Sequence, residues 1–430
     1  MVKKFFVPRG TSDILPADTG IWQSLEIVVR KTLHIYGYKE IRTPVFEETG
    51  LFIRSIGATT DVVQKQMLQL AAQGGENESI ALSGLALRPE GTAAVARAYI
   101  ENNFDKVEPL SKLYYIGPMF RGERPQKGRL RQFHQIGVEA MGPQSGSPYL
   151  DAEMISLSVR ILERLGLKDF QLKINSLGTR EDKAAFSETL RTGLQPFLDT
   201  LCDDCRSRYE RNVFRILDCK NKSCKNIVQR LNISDAHLSP ASRLYFQEVC
   251  RILDGLGVRY VHAPAMVRGL DYYTHTVFEI SDPSLGSQDA LGAGGRYNTL
   301  VQELGGVDVD AMGFALGIER LLLAMPEQKT PASPQNMDVY MIALGQNSCE
   351  EGFRFLHALR GAGISCDMGY RPASMKSQMR QAGKSGARLV LIFGEEERQR
   401  GVVTLKDMAQ GDQKDVPSSE LVEVVRRALS

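Results

Sequence analysis

No stretch of this chain approaches the roughly 20 consecutive apolar residues that a bilayer crossing needs, which excludes a membrane-spanning helix. The opening MVKKFFVPRG sets two lysines before only three apolar residues, far short of a secretion-signal core. Cysteine is sparse and odd in number, seven in 430 residues, so no disulfide framework is indicated. These absences point to a soluble protein of a reducing, cytoplasmic setting. An excess of charge of one sign is missing too, since 53 Lys and Arg face 51 Asp and Glu. A polyanionic partner must therefore be met by local basic clusters rather than by the field of the whole chain. Internal repeats and low-complexity tracts are also absent.

What is present is enough chain for two or three domains. Trp22, Leu25, Val28, Val29 and Leu33 recur at helical spacing and Gly37 follows as a stop, predicting an amphipathic helix over 22–36. YKEIRTPVFEE then reads as a short strand-like run ending at Pro44. Between Leu113 and Met141, LYYIGPMF and FHQIGVEAM flank the charged connector RGERPQKGRLRQ, the pattern of an antiparallel pair joined by a long basic loop. From about 179 to 256 the sequence turns to charged helical stretches holding five of the seven cysteines, an inserted helical subdomain. PEQKTPASPQN, 326–336, has linker composition. Beyond it MDVYMIAL, ISCDMG and ARLVLIF alternate with helical FRFLHALRGAG and MKSQMRQAG, predicting a separate α/β domain over 337–430.

Within 133–139, strand alternation sets Phe133, Gln135, Gly137 and Glu139 on one face and His134, Ile136 and Val138 on the other. One face thus offers a ring, an amide and a carboxylate. Arg121 and Glu123 share a parity at the mouth of the basic loop. An arginine fork can clamp a phosphate, and a ring can stack on a base; a solvated sheet face with a surface ion pair explains the same residues about equally well. LRPEGTAAVARAY adds Glu90 in a Pro-Glu-Gly turn, with Thr92 as the expected N-cap of the next helix. Such a carboxylate is more often an ordinary loop group than a ligand-binding one. MVRGLDYYTHTVFEI reads as a β-rich run carrying Arg268, Asp271 and two tyrosines, polar groups costly to bury unless something pairs with them; an edge strand is the plain alternative. The glycines of LGAGGRYNTL would let a ligand approach the backbone closely, or mark a plain turn. In GFALGIERLLLA, Arg320 lies at the start of an apolar helix and calls for an anionic or capping partner.

Taken together these stretches resemble class II aminoacyl-tRNA synthetases, and specifically the histidine enzymes. YKEIRTPVFE is similar to the first class II motif, FRGERPQKGRLRQFHQIGVE to the second and GFALGIERLLLA to the third. MVRGLDYYTHTVFE and AGGRYN resemble the two segments peculiar to the histidine enzymes, and PRGTSDILP resembles their N-terminus. The resemblance covers essentially the whole chain. It implies an α+β catalytic domain over 1–325, an antiparallel sheet flanked by helices with the helical insertion at 179–256, and an anticodon-binding α/β domain over 337–430. The lack of a GxGxxG or Walker pattern agrees with that fold rather than a Rossmann sheet.

The resemblance further implies ligation of histidine to the 3′ end of its tRNA through histidyl-adenylate, with ATP as substrate and Mg2+ accompanying it. Arg121 would hold the ATP α-phosphate, Phe133 and Arg320 would sandwich the adenine, and Glu123 would touch the nucleotide. Glu90, Gly91, Thr92, Gln135, Glu139, Tyr272 and Tyr273 would form the histidine pocket. Arg268 would be a catalytic arginine on the reacting carboxylate and α-phosphate, and Gln126 and Arg131 would face the acceptor end of tRNA(His). A homodimer is implied through the first motif. Lys376, Arg380 and Lys384 lie four apart, a stripe able to track phosphates or simply a solvated helix face. Cys202, Cys205, Cys219 and Cys224 could hold a structural zinc or stay as buried thiols. The rival reading is the histidine-binding regulatory subunit of ATP phosphoribosyltransferase, which shares the catalytic fold.

Overall fold

The computed structural model describes residues 4–71, 84–326 and 337–430, so all of the expected linker except Pro326 lies outside the described residues. The chain divides into two compact units, Met1–Thr330 and Pro331–Ser430.

The first unit is built on an eight-stranded sheet. Its strands follow the order Lys39–Glu40, Ser111–Phe120, Gln132–Met141, Ala311–Gly317, Ala290–Arg296, Thr274–Ser281, Gln171–Ser176 and Val261–His262. Neighbours run antiparallel except for the two short outermost pairs, which are parallel. The expected hairpin over 113–141 forms with Tyr115 opposite Gly137 and Leu113 opposite Glu139. Alternation then divides the sheet into two surfaces. Ile136, Val138 and Ala140 meet Leu25, Val29 and Leu33 of the first helix and Met154, Ile155 and Leu157 of the helix Pro148–Arg164 in a dry core. The opposite surface carries Tyr115, Tyr272, Tyr273 and Tyr297 and is the one left for chemistry.

Several sequence expectations change in detail. The first helix runs Pro16–Ile35, six residues earlier than the apolar spacing suggested, because Pro16 at its first position has a fixed φ suited to starting a helix. YKEIRTPVFEE is not one strand: it yields Lys39–Glu40, paired with Ser111–Phe120, and Phe46–Glu48, paired with Leu85–Leu87, with Pro44 in the segment between them. In MVRGLDYYTHTVFEI the strand begins only at Thr274, so Arg268, Asp271, Tyr272 and Tyr273 stand in the loop that enters it, where polar side chains need not interrupt a ladder. Gly292, Gly294 and Gly295 lie within a strand, and a side chain at 292 would meet Ala315 and Leu316, at 295 Thr276 and Val277, and at 294 the strands on both sides. Close strand packing, rather than a turn or a ligand's approach alone, is what requires them.

The insertion is helical throughout, from Arg180–Leu194 to Pro240–Gly255. Phe186, Leu190, Leu194, Val213, Ile216 and Ile227 form its own small core together with Cys205, Cys219 and Cys224. Its last helix instead gives Phe246, Val249 and Leu253 to the main core. Beneath the sheet Arg296 and Asp151 form a fully buried ion pair at 2.5 Å, and Arg296 also donates to the carbonyls of Ser145 and Ser147.

The second unit is a five-stranded sheet in the order Cys366–Met368, Val339–Ala343, Leu389–Phe393, Val402–Asp407 and Gln413–Pro417. The first three strands are parallel and the last two antiparallel. The helix Met375–Ser385 buries Gln378 and Ala382 and leaves Lys376, Arg380 and Lys384 exposed on its other side.

Candidate active site

Small residues open a trough across the sheet. Gln135, Gly137 and Glu139 pair with Gly117, Tyr115 and Leu113 on one side and with Gly317, Ala315 and Gly313 on the other. Glycine at 137 and at 91 leaves room for the ring of Tyr115, which would collide with a side chain at either position. The trough deepens into a cavity of about 400 Å³, within the range of small-ligand sites.

Of the residues nominated from sequence, Glu90, Thr92, Arg121, Glu123, Phe133, Gln135, Arg268, Tyr272, Tyr273 and Arg320 all line it. Chain segments some two hundred residues apart thus converge on one hollow. Gly91 and Glu139 do not form its lining, and Gln126 and Arg131 lie outside it. Gln126 instead shares a neighbouring hollow with Lys65, Arg124 and Arg129. Arg131 donates to the carbonyls of Glu123 and Arg9, pinning the base of the connector.

The cavity has a basic end. The Arg121 guanidinium stacks over the Phe133 ring, 5.1 Å from its centre, while its Nε donates to the Pro89 carbonyl. Arg129 pairs with the buried Glu123. Arg320 is fixed by donating to the carbonyls of Gly128 (3.0 Å) and Ala290 (2.6 Å). Burial lowers the pKa of all three arginines, and repulsion from Arg121 adds to that lowering for Arg129 and Arg320. Cations held this close are most favourable when an anion sits among them.

The other end is polar and hydroxyl-rich. The Glu90 carboxylate accepts from the Thr92 N–H at 2.7 Å and the Ala93 N–H at 2.9 Å, so it caps the helix Thr92–Glu101. Thr92 is therefore the first helical residue rather than the N-cap, because the carboxylate reaches both amides and frees the threonine hydroxyl. That hydroxyl donates to Glu139 at 2.7 Å, and Tyr297 donates to the other Glu139 oxygen at 2.5 Å. Burial pushes Glu139 up to about 8 against these two hydrogen bonds, and pushes Glu90 upward against its amide bonds. The Gln135 side-chain carbonyl oxygen is buried with no partner among the described residues. Arg268 pairs with Glu279, and its Nε too is buried with no partner among the described residues. Burial opposes its charge, but the Glu279 carboxylate, with Tyr273 and Asp218, raises its pKa on balance.

Sequence reasoning did not single out Tyr115, Arg129, Tyr297, Arg215 or Glu319, all at the cavity. Tyr115 shares the parity of Gly117 and was legible in principle, whereas Arg129 was one of several loop cations. Glu319 accepts from the His134 N–H and from its Nδ1, each at 2.9 Å, while Trp22 packs edge-on against that imidazole. His134 is accordingly a structural residue on the far side of the strand. Arg215 comes from the insertion and donates to Gly269 O and Asp61. Nothing in a helical, charged segment indicated that it would reach the cavity.

Residues 10–321 match the family model described as histidyl-tRNA synthetase, and residues 338–428 match an anticodon binding domain. The histidine–tRNA ligase of Halothermothrix orenii is 44% identical over 425 residues, covering 98% of this chain and 99% of that protein. That of Anoxybacillus flavithermus is 44% identical over 431 residues, 99% of each. Among solved structures, apo histidyl-tRNA synthetase of S. aureus superposes with a TM-score of 0.78 at 35% identity, covering 98% of this chain and 100% of that one.

Proposed function

The chain belongs to the histidyl-tRNA synthetase family and is a histidine–tRNA ligase, and on that premise we propose that its cavity holds ATP and histidine side by side with Arg268 between their reacting groups. The observation that carries this is the convergence of a three-arginine, aromatic end and a carboxylate and hydroxyl end within one hollow. ATP enters as its magnesium complex. Arg121 holds the α-phosphate, Phe133 and Arg320 take the two faces of the adenine, and Glu123, paired with Arg129, borders the nucleotide.

Histidine lies toward Glu90, Thr92, Gln135, Tyr272 and Tyr273. The unpartnered Gln135 carbonyl suits the substrate's ammonium or ring N–H, and Gly91 keeps Tyr115 seated behind it. Glu139 acts through Thr92 and Tyr297, setting their hydroxyls. An imidazole offers one donor and one acceptor, so buried partners placed for both reject analogues lacking them.

The histidine carboxylate attacks the α-phosphorus, forming the new P–O bond as the bond to pyrophosphate breaks. In the second step a 3′-terminal adenosine hydroxyl attacks the acyl carbon and AMP leaves. Catalysis of the first step is positioning plus stabilisation of added negative charge, and no protein nucleophile is needed. Histidine-dependent ATP–pyrophosphate exchange, tested against all twenty amino acids, checks this assignment. Exchange driven by histidine alone is expected, while exchange driven by another amino acid, or by none, would reject the pocket. The regulatory-subunit reading is less supported, since a histidine sensor has no use for the preserved nucleotide end.

For tRNA, the exposed Gln126 and the pinned Arg131 border the acceptor end, and the exposed row Lys376, Arg380 and Lys384 follows phosphates of the anticodon arm. A chain ended near Met325 should keep pyrophosphate exchange but charge tRNA poorly. Full-strength charging by that chain would remove the tRNA role from the second unit, and loss of exchange would make the two units inseparable in function. A homodimer through the first motif is consistent with the exposed Val45 and Phe46 there and Ile53 in the helix that follows. No described helix is long and apolar enough to cross a membrane, and we assign the protein to the cytoplasm.

A further inference from the structure

Four cysteines of the insertion, Cys202, Cys205, Cys219 and Cys224, come from three separate turns of chain and bring their sulfurs within 4.8 Å of one another. None is in a disulfide. Cys202 is the N-cap residue of the helix Asp203–Arg211 and Cys205 lies in its first turn. Cys219 follows the short turn Val213–Ile216, and Cys224 lies in the first turn of Lys222–Arg230. Cys205 and Cys224 are fully buried, Cys219 nearly so, and only Cys202 is partly open.

A zinc ion with tetrahedral bonds of about 2.3 Å sets its four sulfurs roughly 3.8 Å apart. Cys202 and Cys219 already stand at 3.9 Å, so binding requires only slight contraction of the remaining pairs. Backbone amides point at the sulfurs: Cys202 N–H at Cys224 Sγ and Asn221 N–H at Cys219 Sγ, each 3.4 Å. Such donors stabilise thiolates in metal sites and gain little from neutral thiols. Four close sulfurs with no nitrogen or oxygen ligand select zinc or a single iron. The burial leaves no open coordination position, which marks a structural rather than a catalytic site.

We propose that Cys202, Cys205, Cys219 and Cys224 bind one structural zinc ion that braces the insertion against the active-site loop. The segment between Cys205 and Cys219 carries Arg208, Asn212 and Arg215. Arg215 donates to the Gly269 carbonyl and Asn212 to the Asp271 side chain, and Arg208 and Arg215 both face Asp61. These contacts hold the loop that bears Arg268 and Tyr273. The insertion's own core is small, the circumstance in which a metal staple contributes most.

The full chain, purified under reducing conditions from zinc-replete cells, is the material for the test. Elemental analysis should find one zinc per chain, released in step with mercurial titration of four thiols. Cobalt(II) replacement should give the intense absorption of a tetrahedral thiolate site. Cys219→Ser should lose stoichiometric metal and lower the unfolding temperature, Cys219→His should keep the metal, and Cys250→Ser, outside the cluster, should change neither. Four thiols that titrate freely with no metal released, a stoichiometric metal other than zinc, or full zinc retention in Cys219→Ser would each overturn the proposal.

Discussion

Replacing Arg268 by alanine should slow histidyl-adenylate formation by roughly 10²-fold or more, the scale on which loss of one preorganised charge-stabilising donor is felt. The guanidinium lines the cavity with an Nε that no group among the described residues satisfies, and Glu279 holds it in place and favours its charge. Histidine's carboxylate and the α-phosphate are both negative before they react. A fixed cation between them offsets that repulsion and is favoured further as charge accumulates in the transition state. Affinities for histidine and ATP should change much less than the rate. Pre-steady-state measurement of adenylate formation decides the matter, with circular dichroism confirming the fold. A folded variant that makes adenylate at the normal rate would reduce Arg268 to a structural partner of Glu279.

The second large effect is expected at Glu139. Glu139→Ala strands the hydroxyls of Thr92 and Tyr297 in a buried setting, a loss of a few kcal/mol in total. The histidine KM should rise by roughly 10²-fold while the ATP KM stays near its original value. An unchanged histidine KM would dissociate Glu139 from the pocket.

The same carboxyl carries a pH signature. Its pKa is pushed from an ordinary 4.5 up to about 8 by burial, so the folded protein holds a proton that the unfolded chain releases. Its contribution to stability is therefore complete below about 4.5 and is lost as pH rises toward about 8. In Glu139→Gln, which cannot ionise, the unfolding temperature should fall less steeply across that window. Identical slopes in the two proteins would mean that Glu139 is already ionised in the fold.

The central hairpin and its cavity face were legible in the sequence because period-two alternation assigns side chains to faces whatever the strand order, whereas Glu90, Thr92, Arg268, Tyr272, Tyr273 and Arg320 were nominated through the family resemblance. Phe133, Gln135 and Glu139 were read that way, and their strand lies where alternation requires. Alternation does not tell how deep a side chain sits, and so Glu139 could not be distinguished from a wall residue. Nor does it apply to loops: Arg268 and Tyr272 read as strand residues because β-rich composition continues past the true strand start at Thr274. The capping role of Glu90 was missed because a carboxylate two residues ahead of a helix and a threonine at its start make equally good sequence signals. Arg215 was illegible for another reason, since its reach to Gly269 depends on how an inserted unit folds back.

Glu319 grips both the main-chain N–H and the ring of His134, and each of those residues is the covalent neighbour of one proposed adenine wall, Arg320 and Phe133. The guanidinium plane of Arg320 is tethered at two carbonyls besides. The two proposed walls are thus linked to each other through the protein's own hydrogen bonds. Walls tied together in this way would gauge the thickness of a flat ring as a calliper does. On the proposed reading, an aromatic base would enter with little ordering left to do, and puckered or branched groups would have to pry the walls apart.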